Sequence, residues 1–201
     1  RQVLSAETGA AEMDSYRMQI SQINNLLADI NSGLSPALAT FFNGVQDVAA
    51  NPTSIAGRQS MLSAGQALAA RFQALDQRMT EIRDGTNQQI GGQITQINTY
   101  SKQIGEINQR IGLVSIGSVG QPPNDLLDQR DQMLRELNRL VRVSTVAQGD
   151  GSLSVFIGNG QPLVVGTQSN QLQAVQTPDD PERTAVAIVS NGGTPLILPE
   201  S

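Results

Sequence analysis

The chain has 201 residues, with 13 basic and 18 acidic side chains, a formal net charge of −5 and 38% hydrophobic against 15% charged residues. That is the composition of a folded chain of one or two domains, not of a disordered polymer. It contains no Cys, no His and no Trp, which excludes disulfides, the usual zinc ligand sets, Ser-His and Cys-His nucleophile pairs and a histidine general base.

Aromatic residues make up only 3% of the chain, so the core must be aliphatic, and base stacking has no platform. The charge is uneven: residues 1–142 carry twelve basic and thirteen acidic side chains, residues 143–201 one basic and five acidic. No basic stripe stands out, which argues against nucleic acid as a partner. Arg1 opens neither a signal-peptide pattern nor a natural start, so the chain reads as an excised fragment. No apolar run approaches the roughly 20 residues of a membrane span, and the lack of Cys suits export into an oxidising space.

The first element is a helix in which Met13, Tyr16, Ile20, Ile23, Leu27 and Ile30 step by 3, 4, 3, 4, 3, a coiled-coil-like spacing. It stops near Asn31-Ser32-Gly33. A second helix starts at Ser35-Pro36, runs through "ALATFFNGVQDVAA" and breaks at Asn51-Pro52. From Thr53 or Ser54 a third begins, with Leu68, Phe72, Leu75, Met79 and Ile82 and then Ile90, Ile94, Ile97, Ile104, Ile107 and Ile111 on one stripe. Unbroken, that helix measures about 90 Å at 1.5 Å per residue. Gly85, Gly91 and Gly92 invite a kink or short break, and "GLVSIGSVGQPPN" is expected to turn the chain back.

The stretch "PPNDLLDQRDQMLRELNRLVRV" places Asp125, Asp128 and Asp131 at intervals of three, a ladder that suggests a divalent metal. At roughly 100° per residue, however, Leu126, Leu127, Met133, Leu134, Leu137, Leu140 and Val141 share one stripe and the aspartates fall outside it. Asp125 and Asp128 therefore read as helix-start residues that complement the dipole, with Arg135, Arg139 and Arg142 doing so at the far end. Asn124 or Asp125 is the expected N-cap. Arg130 falls inside the apolar stripe with Leu127 and Leu134, so its guanidinium must reach out to water or pair with a facing carboxylate, for which Asp76, Glu81 and Asp84 are candidates.

After Val141 the period changes to two, with strands expected at "VRVSTVAQ", "SLSVFIG", "PLVV", "QLQAVQ", "TAVAIVS" and "PLIL". Asp150-Gly151, Asn159-Gly160 and Asn191-Gly192 are hairpin signals. With Phe156 as its single aromatic, this region is either part of a larger β domain or a sheet resting on the helices. The expected class is α+β: an elongated helical rod or bundle over residues 1–142, then an antiparallel β module over 143–201 belonging to an outer β domain.

Chemistry is sparse. "GNGQPLVVG" lacks the glycine spacing of a phosphate loop, "GSLS" and "SIGS" lack the nucleophile-elbow frame, and "TPDDPER" has no EF-hand spacing. No catalytic, cofactor or metal residues emerge.

"SQINNLLAD", "GLSPALATFFNGVQDVAANPTSIAGRQSMLSAGQALAARF", "PNDLLDQRDQMLRELNRLV" and "DGSLSVFIGNGQPLVVG", in that order across residues 12–170, together resemble the flagellar hook-associated protein 1 family. The resemblance implies an exported, extracellular, non-enzymatic structural subunit of the bacterial flagellum at the junction of hook and filament, serving motility. It implies self-association in a junction ring, with the hook protein and the second hook-filament junction protein as partners, and neither cofactor nor membrane. A flagellin-like filament subunit, an intracellular helical adaptor or chaperone, and a metal-dependent enzyme are the alternatives.

Overall fold

The computed structural model describes residues 33–117, 123–190 and 193–199, together with single helical positions between 13 and 24. Met13, Arg17, Met18, Ile20, Ser21 and Asn24 are helical. The rest of the expected first helix, and the Asn191-Gly192 turn, lie outside the described residues.

Helix α1 covers Leu34–Ala50, α2 Ile55–Gly117 and α3 Asn124–Leu140, followed by seven strands, so the class is α+β. Ser54 starts α2 as an N-cap: its hydroxyl accepts from Gly57 N at 3.1 Å and its carbonyl from Arg58 N at 3.2 Å. The helical assignment then passes through Gly85, Gly91 and Gly92 without interruption and continues to Gly117, past the expected end at Gly112. Burial explains the persistence, since Ile94, Ile97, Ile104, Ile107 and Ile111 are all buried and tertiary packing outweighs about 1 kcal/mol of propensity per glycine. At α3 the N-cap is Pro123, not Asn124 or Asp125; its carbonyl accepts from Leu126 N and Leu127 N.

The strands form two antiparallel sheets. The first holds β1 (Val143–Ala147), β2 (Leu153–Ile157), β3 (Gln161–Val165) and β4 (Gln168–Ser169) in that order; the second holds β5 (Gln171–Gln176), β6 (Thr184–Val189) and β7 (Leu196–Ile197). Both expected two-residue turns are longer. Gln148 and Ser152 still pair, so the β1–β2 loop is Gly149-Asp150-Gly151, with Gly151 at φ +81°. The β2–β3 loop is Gly158-Asn159-Gly160, with positive φ at both glycines. Three-residue loops ending in a left-handed glycine suit the strand twist as well as the two-residue type does. The β2–β3 register slips between Val155 and Phe156, opposite Pro162, which has no N–H to offer the ladder.

Two compact units emerge, Met13–Gly85 and Thr86–Ser201. In the first, α1 approaches α2 closely at Gly44, where a Cβ would stand 3.2 Å from Met61 Cα. In the second, one core takes Ile94, Ile97 and Ile104 from α2, Leu137 from α3, Val155, Ile157, Leu163 and Val164 from the first sheet, and Leu172 and Ile188 from the second. The division drawn at Arg142 follows the change of hydrophobic period, whereas this core crosses it. Within the described residues the strands rest on α2 and α3 through this core.

A chain ending at Arg142 should therefore lose the cooperative thermal transition of the α2–α3 unit and bind a hydrophobic dye, because Ile94, Ile97, Ile104 and Leu137 lose their strand partners. Retention of a sharp helical melt by circular dichroism would contradict a shared core. Glycine substitutions should separate by environment. A Cβ at Gly91 or Gly92 meets nothing within 4 Å, so Ala there should stabilise by about 0.5–1 kcal/mol. At Gly105 a Cβ would lie 2.9 Å from the Thr167 carbonyl oxygen, so Gly105→Ala should destabilise by about 1–3 kcal/mol in chemical denaturation.

Candidate functional site

The polar centre of the Thr86–Ser201 unit is Asn108, 1% exposed in the middle of the isoleucine stripe of α2. Its amide nitrogen donates to the carbonyls of Leu153 at 2.9 Å and Gly166 at 2.7 Å; its amide oxygen accepts from Leu153 N at 3.2 Å and from Arg130 Nη1 at 3.1 Å. An asparagine amide carries one acceptor and two donors in a plane, as a strand backbone does. Asn108 thus continues the β2 ladder past the point where β3 ends. Gly105, one turn earlier, lets the Thr167 carbonyl approach the helix, so the β3–β4 turn seats between Gly105 and Asn108.

The same device recurs along α2. Asn98 exchanges two bonds with Leu172, Nδ2 to the carbonyl at 2.9 Å and Leu172 N to Oδ1 at 2.8 Å, and so pairs the outer edge of β5. Asn87 donates to the Glu182 carbonyl at 3.0 Å. On α3, Asn138 Oδ1 accepts from Val143 N at 3.2 Å. Asn170 Nδ2 donates to the Pro162 carbonyl at 2.7 Å, between the two sheets. The bonds of Asn98, Asn138 and Asn170 satisfy partly buried backbone groups that would otherwise cost about 1–3 kcal/mol, whereas that of Asn87 is exposed.

Arg130 is 8% exposed. Its partners are the Asn108 amide oxygen and the Gly151 carbonyl, at 3.1 and 2.9 Å, and not a carboxylate. Of the acids proposed for it, Glu81 pairs with Arg78 and Asp84 lies 3.9 Å from Arg83. Burial lowers the pKa of the guanidinium from its ordinary value, an effect that Asp131 opposes, and Nε has no hydrogen-bond partner. The reason for neutral partners is geometric: the α3 stripe faces the β1–β2 loop and α2's asparagine, where Arg130 meets the Gly151 carbonyl and the Asn108 amide oxygen, while the loop's one carboxylate, Asp150, accepts from Ser152 N. Leu127 and Leu134 are half-buried, the latter packed against the core, while Asp125 and Asp128 are exposed.

Around this joint little invites catalysis. No group of three or more His, Cys, Asp or Glu is placed to hold a metal among the described residues. The "TPDDPER" loop closes on itself, with Asp180 Oδ1 accepting from Glu182 N and its carbonyl from Thr177 Oγ1. Hydrogen bonds from Ser152 hold the exposed Asp150 carboxyl below its ordinary pKa. A cavity of about 420 Å³ opens between Ile90, Ile94 and Ile97 of α2 and Leu172, Val186 and Ile197 of the second sheet. Its lining is mainly aliphatic, with Gln93, Thr177, Arg183 and Thr184 as the polar residues and no carboxylate among them.

Residues 20–200 match the family model described as the flagellar hook-associated protein FlgK helical domain. The chain belongs to this family. It is 37% identical over 199 residues to flagellar hook-associated protein 1 of Salmonella typhimurium, covering 99% of this chain and 36% of that relative. The Escherichia coli K12 protein of the same name is 34% identical over the same coverage. The solved structure of the flagellar hook junction protein FlgK from Burkholderia pseudomallei superposes with a TM-score of 0.85 at 34% identity, over 98% of this chain and 36% of that one. The chain therefore spans about a third of the length of these FlgK relatives, and the asparagine joint lies within the matched region.

Asn108 and Asn98 were not singled out by sequence reasoning. A signal exists for Asn108, a polar residue in the isoleucine frame four after Ile104 and three before Ile111. Arg130→Ala should cost about 2–3 kcal/mol by chemical denaturation, because a buried charged donor to two oxygens is lost. Arg130→Met should recover part of that by filling the space without a buried charge. The exposed Arg135→Ala should shift stability by at most about 0.5 kcal/mol. Equal midpoints for the two alanine variants would contradict the joint.

Proposed function

We propose that this chain is a helical and β segment of a subunit at the junction between flagellar hook and filament. The observation that carries the reading is family membership across residues 20–200, together with the superposition on a hook junction protein over nearly the whole chain. On this reading the subunit is exported by the flagellar secretion apparatus, joins copies of itself in a ring, and meets the hook protein on one side and the second hook-filament junction protein on the other. Its role is mechanical and not enzymatic.

The fold suits that role. A load-bearing subunit needs helices and sheets that keep one relative placement, and the asparagine amides fix that placement at Asn87, Asn98 and Asn108. Directional bonds to backbone resist sliding in a way that an aliphatic contact alone does not.

Gold-labelled antibody against this segment should mark a single narrow band where hook meets filament, on flagella of the source bacterium viewed by electron microscopy. Deletion of the gene should leave hooks without filaments and release flagellin into the medium. Label along the whole filament would favour a flagellin-like subunit and overturn the junction reading.

A further inference from the structure

The charged side chains of residues 143–201 are unevenly placed. Asp179, Asp180, Glu182 and Arg183 fall together in the β5–β6 turn, and only Asp150 and Glu200 lie elsewhere. All four are exposed in the folded chain, as is Pro181 among them. The turn itself is held by one carboxylate and by backbone groups. Asp180 Oδ1 accepts from Glu182 N, the Asp180 carbonyl from Thr177 Oγ1 and Arg183 N, and the Arg183 carbonyl from Thr177 N. Those bonds account for Asp180, and leave the gathering of further acids and a proline at this one place to be explained.

The strand that follows supplies a reason. From Ala185 to Val189, β6 carries no polar side chain, no glycine and no proline, and Thr184, Val186, Ile188 and Val189 are β-branched. The other strands of comparable length are each interrupted: β1 by Ser144 and Thr145, β2 by Ser154, β3 by Pro162, and β5 by Gln171, Gln173 and Gln176. An uncharged segment of six or seven residues with high β propensity is the kind that stacks on identical copies of itself. Alternation of Ala185 and Ala187 with Val186 and Ile188 gives it one face of small side chains, on which a second sheet can close.

Folding removes that hazard. Strand β6 is the middle strand of its sheet, paired with β5 along its whole length and with β7 at Ala187 and Ile188, which are buried at 0% and 4% exposure. Its core partners Ile94 and Ile97 belong to α2, far back along the chain, so the burial of β6 waits on long-range closure. Until then only the neighbouring sequence can protect it.

We propose that the turn Asp179-Asp180-Pro181-Glu182-Arg183 is a gatekeeper for β6: in the chain that has not yet folded, its net negative charge and its proline prevent residues 184–189 of different copies from stacking into a common sheet. In-register stacking would bring acid over acid at a spacing of about 4.8 Å, well inside the screening length of about 8 Å at physiological ionic strength, and Pro181 has no N–H to give the growing ladder. Charges and prolines flanking an unavoidable hydrophobic strand act in this way. The proposal concerns the chain before it folds and does not depend on the junction reading.

The test follows the whole chain, unfolded in urea and diluted rapidly at a fixed concentration. Asp179→Asn combined with Glu182→Gln removes two charges and leaves Asp180 and the backbone bonds of the turn in place, so light scattering from aggregates should rise about threefold or more over the unaltered chain. Asp125→Asn combined with Asp128→Asn removes the same charge from exposed positions of α3 and should leave scattering unchanged. Adding Ser190→Asp to the turn variant restores a charge on the other flank of β6 and should bring scattering back down. The protease-resistant core of the aggregates, read by mass spectrometry, should contain residues 184–189. Equal scattering from the turn and α3 variants, no rescue by Ser190→Asp, or a resistant core that excludes residues 184–189 would overturn the proposal.

Discussion

The structure of the Thr86–Ser201 unit rests on the amide of Asn108, which must satisfy the Leu153 backbone where β2 runs out of strand partners. A strand that ends against a helix leaves N–H and C=O groups facing an element whose own backbone is fully bonded. Water cannot reach them in an aliphatic interior, and isoleucine cannot bond them. A planar side chain with donors and an acceptor on one edge resolves the conflict, and it sits where α2 passes the sheet, in the isoleucine frame.

The other features of the joint follow from that placement. With Asn108 engaged by β2, its remaining donor falls on Gly166, and the β3–β4 turn must pack directly on the helix. Only a residue without Cβ at position 105 permits the Thr167 carbonyl to come so close. The amide oxygen retains capacity for a second donor, and α3 supplies it as Arg130, which also holds the β1–β2 loop through the Gly151 carbonyl. Asn108 and Arg130 thus tie together two helices, one strand and two turns. A buried arginine is ordinarily costly; here oxygens from neutral groups receive it, and its aliphatic stem lies in the α3 stripe.

Within the Thr86–Ser201 unit this arrangement ties α3 and the C-terminal part of α2 to the strands through directional bonds. Members of the family share this segment as about a third of their length. On the proposed junction reading, force passing along the helix reaches the strands through directional bonds that do not slide.

The sequence by itself determined the helices, their apolar stripes and most strands, because a period of 3.6 or 2 is a local property of side-chain order. It also determined that Arg130 falls among leucines and that Asp125 and Asp128 do not, since angular position on a helix follows from spacing alone. The family was legible too, from long ordered segments around the α1–α2 turn and in α3. What only the tertiary structure decided was which groups meet: that Arg130 finds Asn108 and Gly151 in place of Asp76, Glu81 or Asp84, that α2 continues through its glycines to Gly117, and that the core ignores the boundary at Arg142. Each depends on contacts between residues some 20 to 74 positions apart. Burial against such distant partners outweighs local propensity, and the geometry of the strand ends, absent from any local pattern, fixes where an asparagine must stand.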